Sequence, residues 1–201
     1  MRDPAREEAF LAGNHARFLG RNVEWHDQLE STQDRLRELS LAQAPEGTVV
    51  AATIQTRGRG RTGAPWSSGP GGLWASVLLY PAGTAQSASR LTLDCAKCVC
   101  ESLQFDFCLP ATIKEPNDVL VNGKKISGIL GESSSRAGEA TLERIVMGVG
   151  LNVANSLPPE LDPIATTLAV FLHPPPAPEQ VLARLLERFE SVYLRYQQQA
   201  R

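Results

Sequence analysis

Three polar segments of this chain of 201 residues, two of which contain glycine, each follow an apolar run and carry positive charge. They cover residues 55–63, 114–118 and 125–128, and their cations are Arg57, Arg59, Arg61, Lys114 and Lys125. Glycine lets backbone N–H groups approach an anion closely, and arginine presents a planar fork to phosphate or carboxylate. Because loops at strand ends often carry functional sites, these segments predict a site for an anion of nucleotide size.

The Gly/Arg loop, defined as residues 58–63 (Gly-Arg-Gly-Arg-Thr-Gly), has a plainer interpretation as a solvated, flexible turn. Glycine–arginine tracts also occur in disordered RNA-binding segments. Here the tract is single and short, and predicted strands frame it. It is not a Walker loop, because no Gly-Lys-Ser/Thr follows at the required spacing. The spacing favours an anion-binding loop and leaves the flexible turn as the alternative.

Charge and composition argue against several classes of protein. Broad electrostatic binding of nucleic acid requires an excess of basic residues. The net charge of −2 shows no such excess, so we expect no nucleic-acid partner. No apolar run reaches the roughly 18 residues of a membrane helix. The N-terminal residues 1–10 carry acids where a signal peptide carries a basic stretch. These features predict a cytoplasmic protein without a membrane partner.

The cysteines are crowded into one short stretch, with Cys95, Cys98 and Cys100 in a predicted helix and Cys108 beyond it. A metal or redox cluster is one interpretation. Small buried residues on a helix are the interpretation we favour, since cysteine is among the most often buried residue types. A zinc site also needs a second ligand pair at a suitable distance, and the three histidines are scattered.

The elements that position the charged segments are predicted from periodicity and capping signals. Strands are expected at 23–26, 48–54, 73–80, 112–114, 119–121, 125–130 and 144–153. Helices are expected at 4–19, from Ser31 or Thr32 onward, at 88–103 and at 179–197. Asn122-Gly123 between apolar runs is a strong hairpin signal. The pattern predicts an α+β fold, a mixed sheet with helices mainly on one face.

Six motifs resemble those of biotin–protein ligases and occur in the family's order over about residues 23–197. Residues 31–33 match the family's Ser-Thr-Asn. Residues 55–63 with Trp66 match its Gln followed by Gly-Arg-Gly-Arg-x-Gly and Trp. Residues 114–118 match its Lys-Trp-Pro-Asn-Asp. Its Lys-ϕ-(Ala/Ser)-Gly-Ile-Leu, Gly-ϕ-Gly-ϕ-Asn-Val and Ala-Thr-Ser-Leu are matched by residues 125–130, 148–153 and 165–168.

The resemblance implies a largely antiparallel sheet of the class II aminoacyl-tRNA-synthetase type. It implies a catalytic domain at 23–201 after an N-terminal helical extension at 1–22, with neither a DNA-binding domain nor a C-terminal β-barrel domain. The implied reaction joins biotin to ATP as biotinyl-5′-AMP, with Mg²⁺, and then acylates a lysine of a biotin carboxyl carrier protein. The default carrier is that of acetyl-CoA carboxylase, and a homodimer is compatible with the family.

The resemblance also assigns roles to individual residues. Attack of a carboxylate on the α-phosphate brings anions together, so cations must neutralise them. The implied catalytic cations are Lys125, Lys114 and Arg61. The implied biotin contacts are Ser31, Thr32, Gln33, Gln55, Arg59, Gly60, Arg61, Lys125 and Gly128. The implied nucleotide contacts are Arg59, Arg61, Lys114, Asn117, Lys125 and Asn152, with Asp118 as a weaker candidate for Mg²⁺.

Some of these residues have purely structural alternatives. Ser31 or Thr32 could be only a helix N-cap, and Asn117 only a turn former. Gly128 and Gly150 could serve close backbone approach. Trp66 could anchor the end of the loop, and Trp74 is expected in the core.

Three departures from the family pattern raise competing functions. Glu115 stands where the family has Trp, Gln33 replaces Asn, and Ala64-Pro65 replaces a common basic pair. An acid beside Lys114 predicts weaker nucleotide binding, which suggests a degenerate biotin-binding protein as an alternative. A lipoate ligase or octanoyl transferase is a further alternative, although those enzymes carry different loop motifs and the transferases need a cysteine nucleophile.

Overall fold

The computed structural model describes residues 1–135 and 141–199. Its helices are α1 (Pro4–Gly13), α2 (Thr32–Leu41), α3 (Ala85–Phe105) and α4 (Pro178–Gln199). Its strands are β1 (Val23–Leu29), β2 (Val49–Gln55), β3 (Leu73–Leu79), β4 (Ala111–Lys114), β5 (Asp118–Val121), β6 (Lys124–Ser135) and β7 (Leu142–Leu151). Two short 3₁₀ turns, Pro159–Leu161 and Leu168–Val170, lie between β7 and α4. Within these ranges, no helix is both long and apolar enough to cross a membrane.

The strands form one sheet in the order β1-β2-β3-β7-β6-β5-β4. The β1–β2 pair is parallel, and every other neighbouring pair is antiparallel. This confirms the predicted α+β fold with a mixed, largely antiparallel sheet. The predicted hairpin is also confirmed: Asn122 and Gly123 join β5 to β6 with φ values of 50° and 78°. Positive φ at both turn positions is what a two-residue hairpin with the sheet's twist requires.

Alternation along the strands separates the two faces of the sheet. Every second residue of β3, from Leu73 to Leu79, enters the main core, which also contains side chains of α1, α3 and α4. On the opposite face Leu78, Val50 and Val146 form a smaller cluster with Leu36 of α2. The expectation of helices mainly on one face is confirmed. Among the described helices, α2 is the one that covers the second face, which leaves the glycine-rich end of β7 open to a ligand.

The cysteines of α3 belong to the main core. Cys95, Cys98 and Cys100 are buried, whereas Cys108 is exposed. Burial raises the pKa of the Cys98 thiol to about 12 and also raises the pKa of Cys95. A thiol that resists ionisation is a poor nucleophile and a poor metal ligand. Packing therefore explains these residues, and the described ranges hold no group of three or more His, Cys, Asp or Glu able to bind a metal ion.

The first helix is shorter than predicted. The prediction extended it to Leu19, but α1 ends at Gly13. The Asn14 side chain donates to the Leu19 carbonyl, and its oxygen accepts from the Ala16 N–H. Such local side-chain bonds compete with helical ones. The segment nevertheless packs inward, because Phe10 and Leu19 lie fully buried in the main core.

Candidate functional site

The predicted site residues meet on the sheet face beside α2, around two adjoining cavities. The first cavity contacts all nine residues assigned to biotin, together with Asn117. Its lining includes Ser31, Thr32, Gln33, Gln55, Arg59, Gly60, Arg61, Asn117, Lys125 and Gly128. The second cavity is lined by three other predicted residues, Lys114, Asp118 and Asn152. Only Lys125 and Trp66 line both cavities in the described part of the chain.

A bulge in β6 places Lys125 and Gly128 on the same face. Val119 pairs with Ser127, but Leu120 pairs with Lys125, so Ile126 is an extra residue between two pairs. Strict alternation would put residues three apart on opposite faces, and a bulge reverses the alternation. Ile126 consequently enters the main core. Nothing in the sequence singled out this bulge.

Glycines form the floor of the first cavity. Gly128 and Gly150 are cross-strand partners on β6 and β7, and Trp66 lies over both. A Cβ on Gly150 would lie 2.7 Å from Trp66 Nε1, and one on Gly128 would lie 3.0 Å from Trp66 Cζ3. Close approach of the Trp66 ring thus explains both glycines. Trp66 was predicted only as a loop anchor, and it also separates the two cavities.

Hydrogen bonds organise the closed end of the first cavity. The Gln55 amide oxygen accepts from the Thr32 backbone N–H at 2.8 Å and from the Thr32 hydroxyl at 3.1 Å. The Gln55 amide nitrogen donates to the Ser68 hydroxyl at 3.0 Å. Thr32 Oγ1 also lies 2.9 Å from Ser76 Oγ. Ser31 caps α2, as one alternative proposed, and its side chain lines the cavity as well.

Gln33 presents an unpaired buried oxygen. Its amide nitrogen donates to the carbonyls of Leu130 and Val146, at 3.2 and 3.3 Å, which fixes the orientation of the amide. Its Oε1 atom is buried and has no hydrogen-bond partner among the described residues. An unsatisfied buried acceptor costs free energy, so this atom marks a place for a donor N–H from a ligand.

The Gly/Arg loop is an ordered hairpin between β2 and Ser68. The backbone N–H of Gln55 donates to the Ser68 carbonyl at 3.0 Å, that of Gly60 to Ala64 at 2.8 Å, and that of Trp66 to Gly58 at 2.9 Å. These bonds favour an organised loop over the alternative of a flexible turn.

The three arginines of this region differ in their surroundings. Arg57 is exposed and pairs with Glu30. Arg59 is half-buried against Asp34 and Glu132. Hydrogen bonding to Asp34 raises the pKa of Arg59 despite partial burial. Arg61 is exposed at the rim of the first cavity and has no ion-pair partner in the described ranges.

Lys125 stands at the junction of the cavities. Its Nζ atom is 2.6 Å from Asp118 Oδ1 and 5.0 Å from the centre of the Trp66 ring. Its backbone is also held, because its N–H donates to Ile164 and its carbonyl accepts from Thr166. The ammonium is therefore aimed at the boundary between the two cavities.

The second cavity combines cations with an apolar wall. Lys114 and Lys125 supply charge, and the wall is built by Leu120, Leu157, Leu161, Pro163 and Ile164. Asn152 Oδ1 accepts from Asn155 Nδ2 at 3.2 Å, which sets the Asn152 amide orientation. Sequence reasoning missed Asn155 because no motif includes it.

Asn117 and Glu115 were both expected to affect nucleotide binding, but neither lines the second cavity. Asn117 lines the first cavity and not the second. Its amide donates to the Ile129 carbonyl at 2.8 Å, which agrees with a structural role just before β5. Glu115 is exposed and lines neither cavity. The Glu115 carboxylate therefore does not line the second cavity beside Lys114.

Asp118 supplies the carboxylate of the second cavity. Mg²⁺ in nucleotide sites usually binds through one or two carboxylates together with the phosphates, and it keeps several waters. A single carboxylate beside two lysines fits a metal ion that enters with a polyphosphate. It does not fit a metal cage built by the protein alone.

Comparison with known proteins identifies one family that this chain resembles over most of its length. The model of the Biotin/lipoate A/B protein ligase family matches residues 25–152. The bifunctional ligase/repressor BirA of Bacillus subtilis is 40% identical over 167 residues, which are 81% of this chain and 51% of that protein. The biotin–[acetyl-CoA-carboxylase] ligase of Paracoccus denitrificans is 37% identical over 122 residues, which are 59% and 50% of the two chains.

A solved structure agrees with these matches. The biotin protein ligase of Aquifex aeolicus, solved in complex with biotin and ATP, superposes with a TM-score of 0.76 at 32% identity. The match covers 89% of this chain and 72% of that one. The chain spans about half the length of the curated relatives named above. With more than half of its residues matched by the family model, and with the same fold as a biotin protein ligase, the chain belongs to the biotin/lipoate A/B protein ligase family.

Proposed function

We propose that this chain activates biotin with ATP and transfers the biotinyl group to a lysine of a carrier protein. The observation that carries the proposal is the pair of adjoining cavities with the Lys125 ammonium at their boundary. One cavity is bounded by amide and hydroxyl groups, and the other is cationic with an apolar wall. The Aquifex relative was solved with biotin and ATP bound, which supports this pairing of substrates.

The first cavity is proposed to hold biotin. The ureido group of biotin has two N–H donors and one carbonyl acceptor. The unpaired Oε1 of Gln33 would accept one N–H, and Ser31, Thr32 and Gln55 supply the remaining polar groups. Gly128 would lie beneath the ligand, and Arg59, Gly60 and Arg61 of the Gly/Arg loop would cover it. The carboxylate of the biotin side chain would then point toward Lys125.

The second cavity is proposed to hold ATP. Lys114 would contact the phosphates, the apolar wall would contact the base, and Asn152 would offer its amide to the adenine edge. Arg61 and Lys125 would face the α-phosphate from the side of the first cavity. Asn117 stays a weaker candidate for nucleotide contact, since its amide already bonds β6. Mg²⁺ bound by the phosphates and Asp118 would supply further positive charge.

The chemistry follows from this arrangement. A biotin carboxylate oxygen attacks the α-phosphorus, the bond from the α-phosphorus to the bridging oxygen breaks, and pyrophosphate leaves. Lys125, Lys114 and Arg61 stabilise the charge that accumulates, which is how positioned cations lower such barriers. In the second step the acceptor lysine, as a free amine, attacks the acyl carbon. AMP leaves, and the amine gives up its proton.

Several properties of the whole protein belong to this proposal. The carrier domain of acetyl-CoA carboxylase is the acceptor to test, because the Paracoccus relative is named for it. A cytoplasmic location, a homodimer and the boundary between an extension at 1–22 and a catalytic domain at 23–201 remain predictions. The degenerate alternative rested on Glu115, whose exposed position outside both cavities favours an active ligase. Lipoate or octanoate transfer is disfavoured because the matched relatives are biotin ligases.

A two-step assay tests the proposal. The purified chain is given biotin, ATP, Mg²⁺ and a carrier domain, and pyrophosphate release and carrier biotinylation are measured separately. We expect both signals, and we expect Lys125→Gln to lower the rate of pyrophosphate release at least about 100-fold, since one stabilising group is typically worth that much. Lys97→Gln on α3 is the matched control, because Lys97 pairs with Asp94 of the same helix and lines neither cavity.

Each competing function predicts another result in the same assay. Biotin binding without pyrophosphate release would support the degenerate protein. A preference for lipoate or octanoate over biotin would contradict the proposed substrate.

A further inference from the structure

Arg59 is the arginine of the Gly/Arg loop whose charge is already neutralised. Its guanidinium donates to Asp34 at 2.8 and 3.0 Å and to Glu132 at 3.0, 3.1 and 3.2 Å. Its side chain is 25% exposed, against 75% for Arg57. Arg59 therefore faces the two carboxylates, whereas Arg61, two residues further along the loop, is exposed at the rim of the first cavity.

The two carboxylates come from different elements. Asp34 lies in the first turn of α2, and Glu132 lies in β6. Arg59 also donates to the hydroxyl of Ser31, the N-cap of α2, at 3.3 Å. A single side chain of the loop thus ties the loop to the helix and to the strand that flank the first cavity. A planar guanidinium suits this role because its fork can bind two carboxylates at once.

The cluster balances in charge. Arg37 pairs with both carboxylates, at 3.0 Å to Asp34 and 2.8 Å to Glu132. Two cations therefore meet two anions, and the cluster has no excess positive charge to offer a phosphate. Burial opposes ionisation of Asp34, but the hydrogen bonds and charges of Arg59 and Arg37 together outweigh it and keep the pKa of this carboxyl below its ordinary value. Arg61 is left as the loop cation that faces an incoming anion.

We propose that Asp34 and Glu132 are positioning residues that hold the Gly/Arg loop closed over the first cavity through Arg59. The inference rests on the proposed function in one respect, namely that this cavity holds biotin. It assigns the Arg59 guanidinium to anchoring the loop and leaves phosphate contact to Arg61 and the two lysines. A loop anchored in this way would lose less conformational entropy when substrate binds.

Limited trypsin digestion of the ligand-free protein tests the anchor directly. Trypsin cleaves after Arg59 and Arg61, and cleavage there requires the loop to open. In the double variant Asp34→Asn/Glu132→Gln we expect loop cleavage, located by mass spectrometry, to be at least about tenfold faster than in the wild type. Glu30→Gln is the matched control, since it breaks the exposed Arg57–Glu30 pair and leaves the anchor intact. Its loop cleavage should equal that of the wild type.

A second variant covers the case in which the double variant fails to fold. Arg59→Lys keeps the positive charge and a trypsin site but cannot bind two carboxylates with one planar fork. We expect its loop to be cleaved several-fold faster than wild type, with the same thermal midpoint. Wild-type loop cleavage should also accelerate with added salt, because screening weakens exposed ion pairs. Salt-independent cleavage and wild-type rates in Arg59→Lys would overturn the proposal.

Biotin binding supplies a readout that separates this inference from the proposed function. In the double variant the dissociation rate of biotin should rise about tenfold, with the rate of pyrophosphate release at saturating substrate changed less than about threefold. If the wild type binds no biotin, the proposed function fails, while the digestion still tests the anchor. If biotin binds normally and loop cleavage is unchanged in the double variant, the anchor fails and the proposed function stands.

Discussion

At the scale of single residues, the first cavity depends on the space between Gln33 and the strand beneath it. Gln33 Cδ and Oε1 would lie 3.2 Å from a Cβ on Gly148. The Gln33 amide nitrogen donates to two backbone carbonyls, so the amide has little freedom to move away from a new methyl group. The absence of a side chain at Gly148 therefore sets the position of the unpaired oxygen.

We expect Gly148→Ala to weaken biotin binding about tenfold while the KM for ATP changes less than about twofold. The added methyl group would displace the Gln33 amide and lose one hydrogen bond worth about 1–1.5 kcal/mol. Isothermal titration with biotin and steady-state kinetics with ATP measure the two effects. An unchanged biotin Kd would show that Gln33 does not bind the ligand.

Gly131→Ala is a control on the opposite face of the same sheet. A Cβ there would meet Thr92 Oγ1 of α3 at 2.3 Å, inside the packed helix–sheet interface. This substitution should lower the thermal midpoint and leave the biotin Kd of the folded protein unchanged.

At the scale of elements, α4 organises the irregular segment that follows α1. The Glu190 carboxylate is buried and accepts the backbone N–H groups of Arg17, Phe18 and Leu19, at 2.6, 2.9 and 3.0 Å. This carboxylate satisfies donors that a helix through Leu19 would have used internally. A tertiary contact, 171 or more residues away in sequence, thereby replaces part of a predicted helix.

We expect Glu190→Ala to lower the free energy of unfolding by about 2–4 kcal/mol, because three backbone donors, among them the buried N–H of Leu19, would lose their acceptor. Urea denaturation monitored by tryptophan fluorescence measures the loss. Glu187→Ala provides the comparison, since Glu187 accepts one exposed N–H, that of His15. That variant should lose less than about 1 kcal/mol. Equal losses in the two variants would contradict this account of the segment.

At the scale of the whole molecule, ion pairs connect the N-terminal segment and α2 to the sheet. Glu7 accepts from Arg2 and from the Trp25 backbone, and Glu24 accepts from Arg35 and His26. Burial opposes ionisation of both glutamates. The hydrogen bonds and the neighbouring positive charges together outweigh it, so the pKa of each carboxyl lies below its ordinary value in the folded chain.

These shifts predict acid sensitivity. A carboxyl with a lowered folded-state pKa binds protons more tightly when the chain is unfolded. Its stabilisation is therefore present above the ordinary value of about 4.5 and is lost as the pH falls through the folded-state pKa. We expect the thermal midpoint to fall from roughly pH 4.5 downward, and to fall less steeply in Glu24→Gln. Parallel curves for the two proteins, measured by circular dichroism, would exclude Glu24 as a contributor.

The sequence by itself determined most of the secondary structure and the membership of the site. Alternation, capping and the Asn122-Gly123 signal depend on neighbours in the chain, so local patterns located the strands and the hairpin correctly. The motif order also named the residues that line both cavities, because a ligand contact restricts residue type. The end of α1 was wrong for the opposite reason: Asn14 and Glu190 decide it, and Glu190 lies in the last helix.

Only the tertiary structure decided which cavity each of those residues lines and which partners it contacts. The bulge at Ile126 brings Lys125 and Gly128 to one face, and Trp66 divides the site into two cavities. The pairing of Arg59 with Asp34 and Glu132 joins three separate segments, and no spacing in the chain reveals it. Contacts of this kind depend on distances across the sheet, whereas residue type and periodicity record only which side chains are available to make them.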